Sequence, residues 1–67
     1  MSNIVRSESD SLIYSFNKVT GESVMASKVK TYLGGFCWEI VKGNLKDNSI
    51  SCRKTVFSFE EAQKFTL

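Results

Sequence analysis

Hydrophobic and polar residues alternate along much of this chain with a period of two, the signature of strands whose faces meet different surroundings. From Ser11 to Asn17, Leu12, Tyr14 and Phe16 fall on one face, and Ile13, Ser15 and Asn17 on the other. The β-favouring residue types agree with a strand here. Lys18 to Glu22 reads as a turn, with Gly21 free to take positive φ. The pattern is clearest from Phe36 to Lys42, where Phe36, Trp38 and Ile40 alternate with Cys37, Glu39 and Val41. GNLKDN (43–48) is a loop of turn residues, and Ser49 to Phe57 is the returning strand.

Ser23 to Leu33 supports two readings. As a helix, Met25, Val29, Tyr32 and Leu33 share a face, Ser23 caps the start and Gly34 follows the end. As a strand, Met25, Val29 and Leu33 lie opposite Lys28 and Lys30. The short turn before it and the Val-Lys-Thr-Tyr run favour the strand; the helix stays open as the rival, giving β-α-β-β-α. Gly34-Gly35 lacks the lysine and glycine spacing of a phosphate loop and suits a strand junction or bulge.

Within the second hairpin, apolar matching pairs Trp38 with Cys52 and Ile40 with Ile50. Glu39 then reaches Arg53 diagonally, and Cys37 and Cys52 lie on opposite faces as free thiols. Ser58 opens a final helix. Ser58-Phe59-Glu60-Glu61 has capping-box spacing, Phe57 and Ala62 have hydrophobic-staple spacing, and both glutamates suit the positive helix end. Residues 1–10 carry Arg6, Glu8 and Asp10 with little to bury and read as a flexible arm, leaving 11–67 as one domain. The expected fold is α+β: an antiparallel meander of three or four strands with a short C-terminal helix packed on one face.

The chain has 67 residues, 42% of them apolar and 12% aromatic, which is globular composition. A core of this size supplies only a few kcal/mol, leaving little for a substrate cleft and its supporting shell. Histidine is absent, which removes the commonest general base and metal ligand. Cys37 and Cys52 have no evident activating base and fall short of a four-ligand zinc site. Neighbouring Glu60 and Glu61 point in different directions on a helix and suit a cap better than acid–base chemistry. The reading is a non-enzymatic protein without cofactor or metal. MSNIVRSESD lacks the basic start and apolar core of a leader, so the chain reads as cytoplasmic.

Charge adds one feature. Formal net charge is +2, yet residues 28–54 hold Lys28, Lys30, Lys42, Lys46, Arg53 and Lys54 against Glu39 and Asp47. On the strand reading Lys28, Lys30 and Arg53 share the sheet face away from the helix, where they would meet phosphates. The same residues serve equally as a solvated face or a protein-binding surface. Trp38 and Tyr32 are the candidate aromatic anchors, with a core role as the bland alternative for Trp38.

Gly35 to Phe65 resembles the AP2-like, arm-type amino-terminal DNA-binding domain of phage integrases. The resemblance is carried by the strand Gly-Phe-Cys-Trp-Glu-Ile-Val, a polar hairpin loop, the basic strand Ser-Cys-Arg-Lys-Thr-Val-Phe and the run Ser-Phe-Glu-Glu-Ala-Gln-Lys-Phe. It implies a sheet backed by the helix, with the outer face in the DNA major groove and Arg53 and Lys54 at contact positions, flanked by Lys42 and Lys46. It covers about half the chain, with fewer cations and an earlier helix end than that family has.

Two functions follow as expectations. The first is a phage-type or mobile-element accessory that docks on a host protein and modulates it, with homodimerisation through an edge strand as a variant. The second is nucleic-acid binding through a basic open sheet face. The character of that face separates them: a positive strip favours nucleic acid, and an apolar patch favours a protein partner.

Overall fold

The computed structural model describes residues 3–67. Among them the chain forms five strands, β1 (Ile4–Glu8), β2 (Leu12–Asn17), β3 (Glu22–Lys30), β4 (Phe36–Asn44) and β5 (Ser49–Val56), and then one helix, α1 (Phe59–Phe65). All strands lie in one antiparallel sheet in sequence order, so every connection is a hairpin. The meander and the C-terminal helix agree with expectation. Residues 23–30 are strand, and the helical rival is set aside. The sheet has one strand more than expected.

The extra strand lies inside the segment expected to be a flexible arm, whose first two residues fall outside the described part. β1 pairs with β2 from Ile4 opposite Asn17 to Glu8 opposite Ile13. Its polar side chains order it from the helix side. Arg6 pairs with Glu8 at 2.9 Å, Gln63 of α1 donates to Glu8 at 2.9 Å, and Arg6 donates to the Leu67 main-chain oxygen at 3.4 Å.

Each turn closes on its own side chains. The Asn17 carboxamide accepts from the Val19 and Thr20 amides at 2.8 and 3.0 Å, and Gly21 completes the turn at φ 83°. Asn44 and Asp47 play the same part between β4 and β5, accepting from the Lys46 amide at 2.8 Å and the Ser49 amide at 3.0 Å. This turn is tighter than the loop read from the sequence, and it moves the register. Trp38 lies opposite Val56, Ile40 opposite Lys54 and Lys42 opposite Cys52, four residues along β5 from the expected pairing.

A bulge decides which side of β5 faces inward. Asn44 pairs with Ser49 and Gly43 with Ile50, but Lys42 pairs with Cys52, so Ser51 is the extra residue. Without it Trp38 would face Thr55, and Val56 would point away from the core. Gly43 makes the bulge possible: a Cβ there would collide with the Ser49 carbonyl oxygen. Because the shift is even, Cys37 and Cys52 remain on opposite faces as free thiols, and Glu39 still meets Arg53 diagonally.

The core lies between α1 and one sheet face: Ile13, Val24, Ala26, Trp38, Ile40 and Val56 meet Ala62 and, at the margin, Phe65. On β2 this is the Ile13–Ser15 side, not the side carrying Leu12, Tyr14 and Phe16. Ser58 caps α1, its hydroxyl accepting from the Glu61 amide at 3.1 Å. Phe57 does not staple the helix; it is 76% exposed. Phe59, the first residue of the helix, packs against Trp38 instead, with tilted rings whose centroids are 5.3 Å apart. Ser15, fully buried, accepts from the Leu67 amide at 2.9 Å and so ties the end of the chain to the sheet.

Candidate functional site

The register assigns every strand residue to a face. With Ala26 opposite Ile40 and Lys28 opposite Trp38, Lys28 and Lys30 lie on the helix side. So do Lys42 and Lys54. The basic residues therefore do not assemble on the open face as expected, because their parity along β3, β4 and β5 is that of the core residues beside them.

Their surroundings differ as well. Lys28 sits 4.6 Å from the Phe36 ring centroid, and Lys42 and Lys54 sit 5.5 and 4.4 Å from that of Phe65. Lys42 and Lys54 thus cover the aromatic margin of the helix, and Lys28 covers the first residue of β4. Lys46 donates to the Val19 carbonyl at 2.6 Å and, with Asn44 donating to Thr20 at 3.2 Å, joins the β2–β3 turn to the β4–β5 turn. Of the six basic candidates only Arg53 projects from the open face, 3.7 Å from Glu39.

The two aromatic candidates part company. Trp38 is 4% exposed under Phe59 and is a core residue, so it offers no surface to a partner. Tyr32 is fully exposed beside Leu33 at the β3–β4 turn, which closes through Thr31 and Gly35.

The open face holds what sequence reasoning did not single out. Val5 of β1, Leu12, Tyr14 and Phe16 of β2, Met25 and Val29 of β3, Cys37 and Val41 of β4, and Ile50 of β5 share it. Tyr14 and Phe16 pack with tilted rings, their centroids 5.7 Å apart. A shallow depression of about 210 Å³ lies among Tyr14, Met25, Val41, Leu45 and Ile50, with Ser23, Asn44, Asn48 and Ser49 completing its wall. Among the described residues of the strands, Glu39 and Arg53 are the charged side chains on this face, and they offset each other. One signal for it was present in the sequence. Neighbouring positions in β2, β3 and β4 are both apolar, as in Ile13-Tyr14, Val24-Met25 and Ile40-Val41. Strands of that kind are built to be covered on both faces.

Among the described residues, Asp47 is the titrating group with a resolved perturbation. The Ser49 hydroxyl and then the Ser49 amide stabilise its carboxylate and hold it below the usual range. It lies in the β4–β5 turn and serves that turn. Among the described residues no three His, Cys, Asp or Glu side chains group as a metal-ligand set, and no helix is long and apolar enough to cross a membrane.

No protein-family model matches the chain, and no curated protein or solved structure was found to match it.

Proposed function

We propose that this chain is a small non-enzymatic binding protein whose docking surface is the open face of the sheet and whose partner is another protein. One observation carries the reading. The face opposite α1 carries apolar side chains from all five strands, set among Ser7, Ser23, Ser27 and Thr55, and holds one mutually offsetting charge pair. Met25 and Ile50 stand 38% and 57% exposed on it. Fully burying an exposed side chain of that size is worth about 1.5–3 kcal/mol, and covering the part still exposed here yields a fraction of that at each position, so several together can anchor an interface. A docking module of this size suits an accessory protein of a phage or mobile element that modulates a host protein.

The nucleic-acid reading and the integrase-arm resemblance both ask the outer face to meet phosphates. That face offers Arg53 alone, and Glu39 already faces it. Lys28, Lys30, Lys42 and Lys54 lie on the helix side of the sheet, and Lys46 is held in the turn between β4 and β5.

A photo-crosslinking residue placed at Met25 or Lys54 in the cell tests the proposal. The expected result is a polypeptide adduct from position 25 that survives nuclease treatment, with none from position 54. Adducts arising only from position 54, or lost on nuclease treatment, would refute it.

A further inference from the structure

We infer that the β3–β4 turn is a membrane-contact element: Tyr32 and Leu33 enter the interface of an anionic lipid bilayer, and Lys28 and Lys30 meet its headgroups. This end of the chain lies outside the open face, and the inference does not rest on the docking role of that face.

Three observations lead there. The first is exposure. Tyr32 is fully exposed and Leu33 93% exposed, side by side at the apex of a hairpin between two nine-residue strands. Phe36, 58% exposed, opens β4 just behind them. Phe57, also exposed, follows Val56, which lies opposite Trp38 toward the same end. The most exposed apolar side chains of the described chain thus gather where the hairpin turns.

The second is how the turn is closed. The Thr31 amide donates to the Gly35 carbonyl at 2.8 Å, the Gly34 amide to the Thr31 carbonyl at 3.2 Å, and the Gly35 amide to the Thr31 hydroxyl at 3.0 Å. Gly34 takes φ 90° to allow this closure. Backbone groups paired within the turn lose little on leaving water. The same bonds hold Tyr32 and Leu33 in place before contact, so little order is lost on insertion. With the Thr31 hydroxyl engaged, the tyrosine hydroxyl is the polar side-chain group left at the apex. A specific protein pocket draws on several directional polar contacts. A bilayer interface asks for none, and tyrosine is a residue it favours.

The third is charge. Residues 28–38 hold Lys28 and Lys30 and no carboxylate. At about 3.3 Å per residue, Lys30 stands about 7 Å and Lys28 about 13 Å behind Tyr32. Interfacial elements sink about 5–10 Å, which brings Lys30 level with the lipid phosphates. Lys28 holds its ammonium 4.6 Å from the Phe36 ring centroid, and Phe36 lies opposite Lys30, so this charge leans toward the apex. Asp10 shares a depression with Lys28 and tempers that charge, which leaves Lys30 as the stronger contact. Bound by its tip, the chain keeps the open face free for a protein partner.

The test is flotation of the full chain with vesicles of phosphatidylcholine alone, or of equal parts phosphatidylcholine and phosphatidylserine. Binding is expected to the anionic vesicles, weakening as salt rises, and little to the neutral ones. Tyr32→Ser with Leu33→Ser should lower the partition coefficient on the order of 100-fold. Lys30→Gln should lower it about fivefold. Lys54→Gln, a cation far from the tip, should leave it unchanged. Amide spectra confirm that each variant is folded. Absence of binding to the anionic vesicles overturns the inference, as does binding that survives the double tip variant or that falls as much with Lys54→Gln as with Lys30→Gln. A photo-crosslinker at position 33 that yields a polypeptide adduct in the cell, without vesicle binding, overturns it in favour of a protein pocket. The crosslink from position 25 reads the open face alone, so either surface can fail without the other.

Discussion

The two faces of this sheet are made from the same strands, residue by residue in alternation, yet they do different work. On the helix side, Ile13, Val24, Ala26, Trp38, Ile40 and Val56 are buried under a helix of seven residues. On the other side, Tyr14, Phe16, Met25, Val41 and Ile50 form an apolar set that no described helix covers, with Met25 and Ile50 exposed and the others half-buried. Lysines ring the helix side, where their stems close the rim of the core, whereas the open face has a neutral pair. The contrast teaches that apolar content alone does not locate a core. A short helix can cover one face only, and the uncovered one becomes the surface with binding free energy to give.

The sharpest way to break this comparison is to delete the same side chain from each face of one hairpin. Ile40 is 1% exposed and Ile50 57% exposed. Ile40→Ala should cost about 2–5 kcal/mol, enough to unfold a domain whose stability is about 3–5 kcal/mol. Ile50→Ala should cost under about 1 kcal/mol in the free chain. Urea titrations followed by Trp38 fluorescence would report both, and equal losses would contradict the assignment of faces.

A smaller effect is expected at Ser15, the buried polar residue of the helix side. Ser15→Ala leaves the Leu67 amide without its acceptor and should cost about 1–3 kcal/mol. Faster hydrogen exchange at Leu67 should accompany the loss, and unchanged exchange would show that the contact does not hold the terminus. Smaller again is Ser58→Ala, which removes the cap of α1 and should cost about 1 kcal/mol. It should leave the crosslink from position 25 unaltered; a change in its yield with this variant would link the two faces.

The smallest effect belongs to neither face. The Asp47 carboxyl is held below its ordinary range by the Ser49 hydroxyl and amide. A depressed carboxyl contributes stability that is present above its unfolded value and is lost as pH falls through the folded one. The contribution should therefore be constant from neutral pH down to mildly acidic pH and fade only in strong acid. Asp47→Asn should flatten that fading in acid denaturation curves, and a difference between the two proteins confined to neutral pH would refute the sign.

Local chemistry was legible wherever a residue acts on its own neighbours. Gly21, Asn44 and Ser58 announce turns and a cap that the structure contains. The alternation of β2 and β4 was equally plain, and the turn before β3 resolved an ambiguous pattern toward strand. The face assignments were harder. Leu12, Tyr14 and Phe16 form the richer apolar side of β2, yet α1 covers Ile13 and Ser15. The candidate site misled for the same reason: a cluster of lysines in sequence says nothing of parity against a distant helix.

By itself, then, the sequence determined strands β2 to β5, their turns and the capped helix, because each depends on contacts within a few residues. Tertiary structure alone decided that Ile4 to Glu8 is ordered by Gln63 and the Leu67 main chain, that a bulge at Gly43 turns Val56 inward, and which apolar face is left bare. Those outcomes depend on groups far apart in the chain, and a period-two pattern is identical whichever side the helix takes.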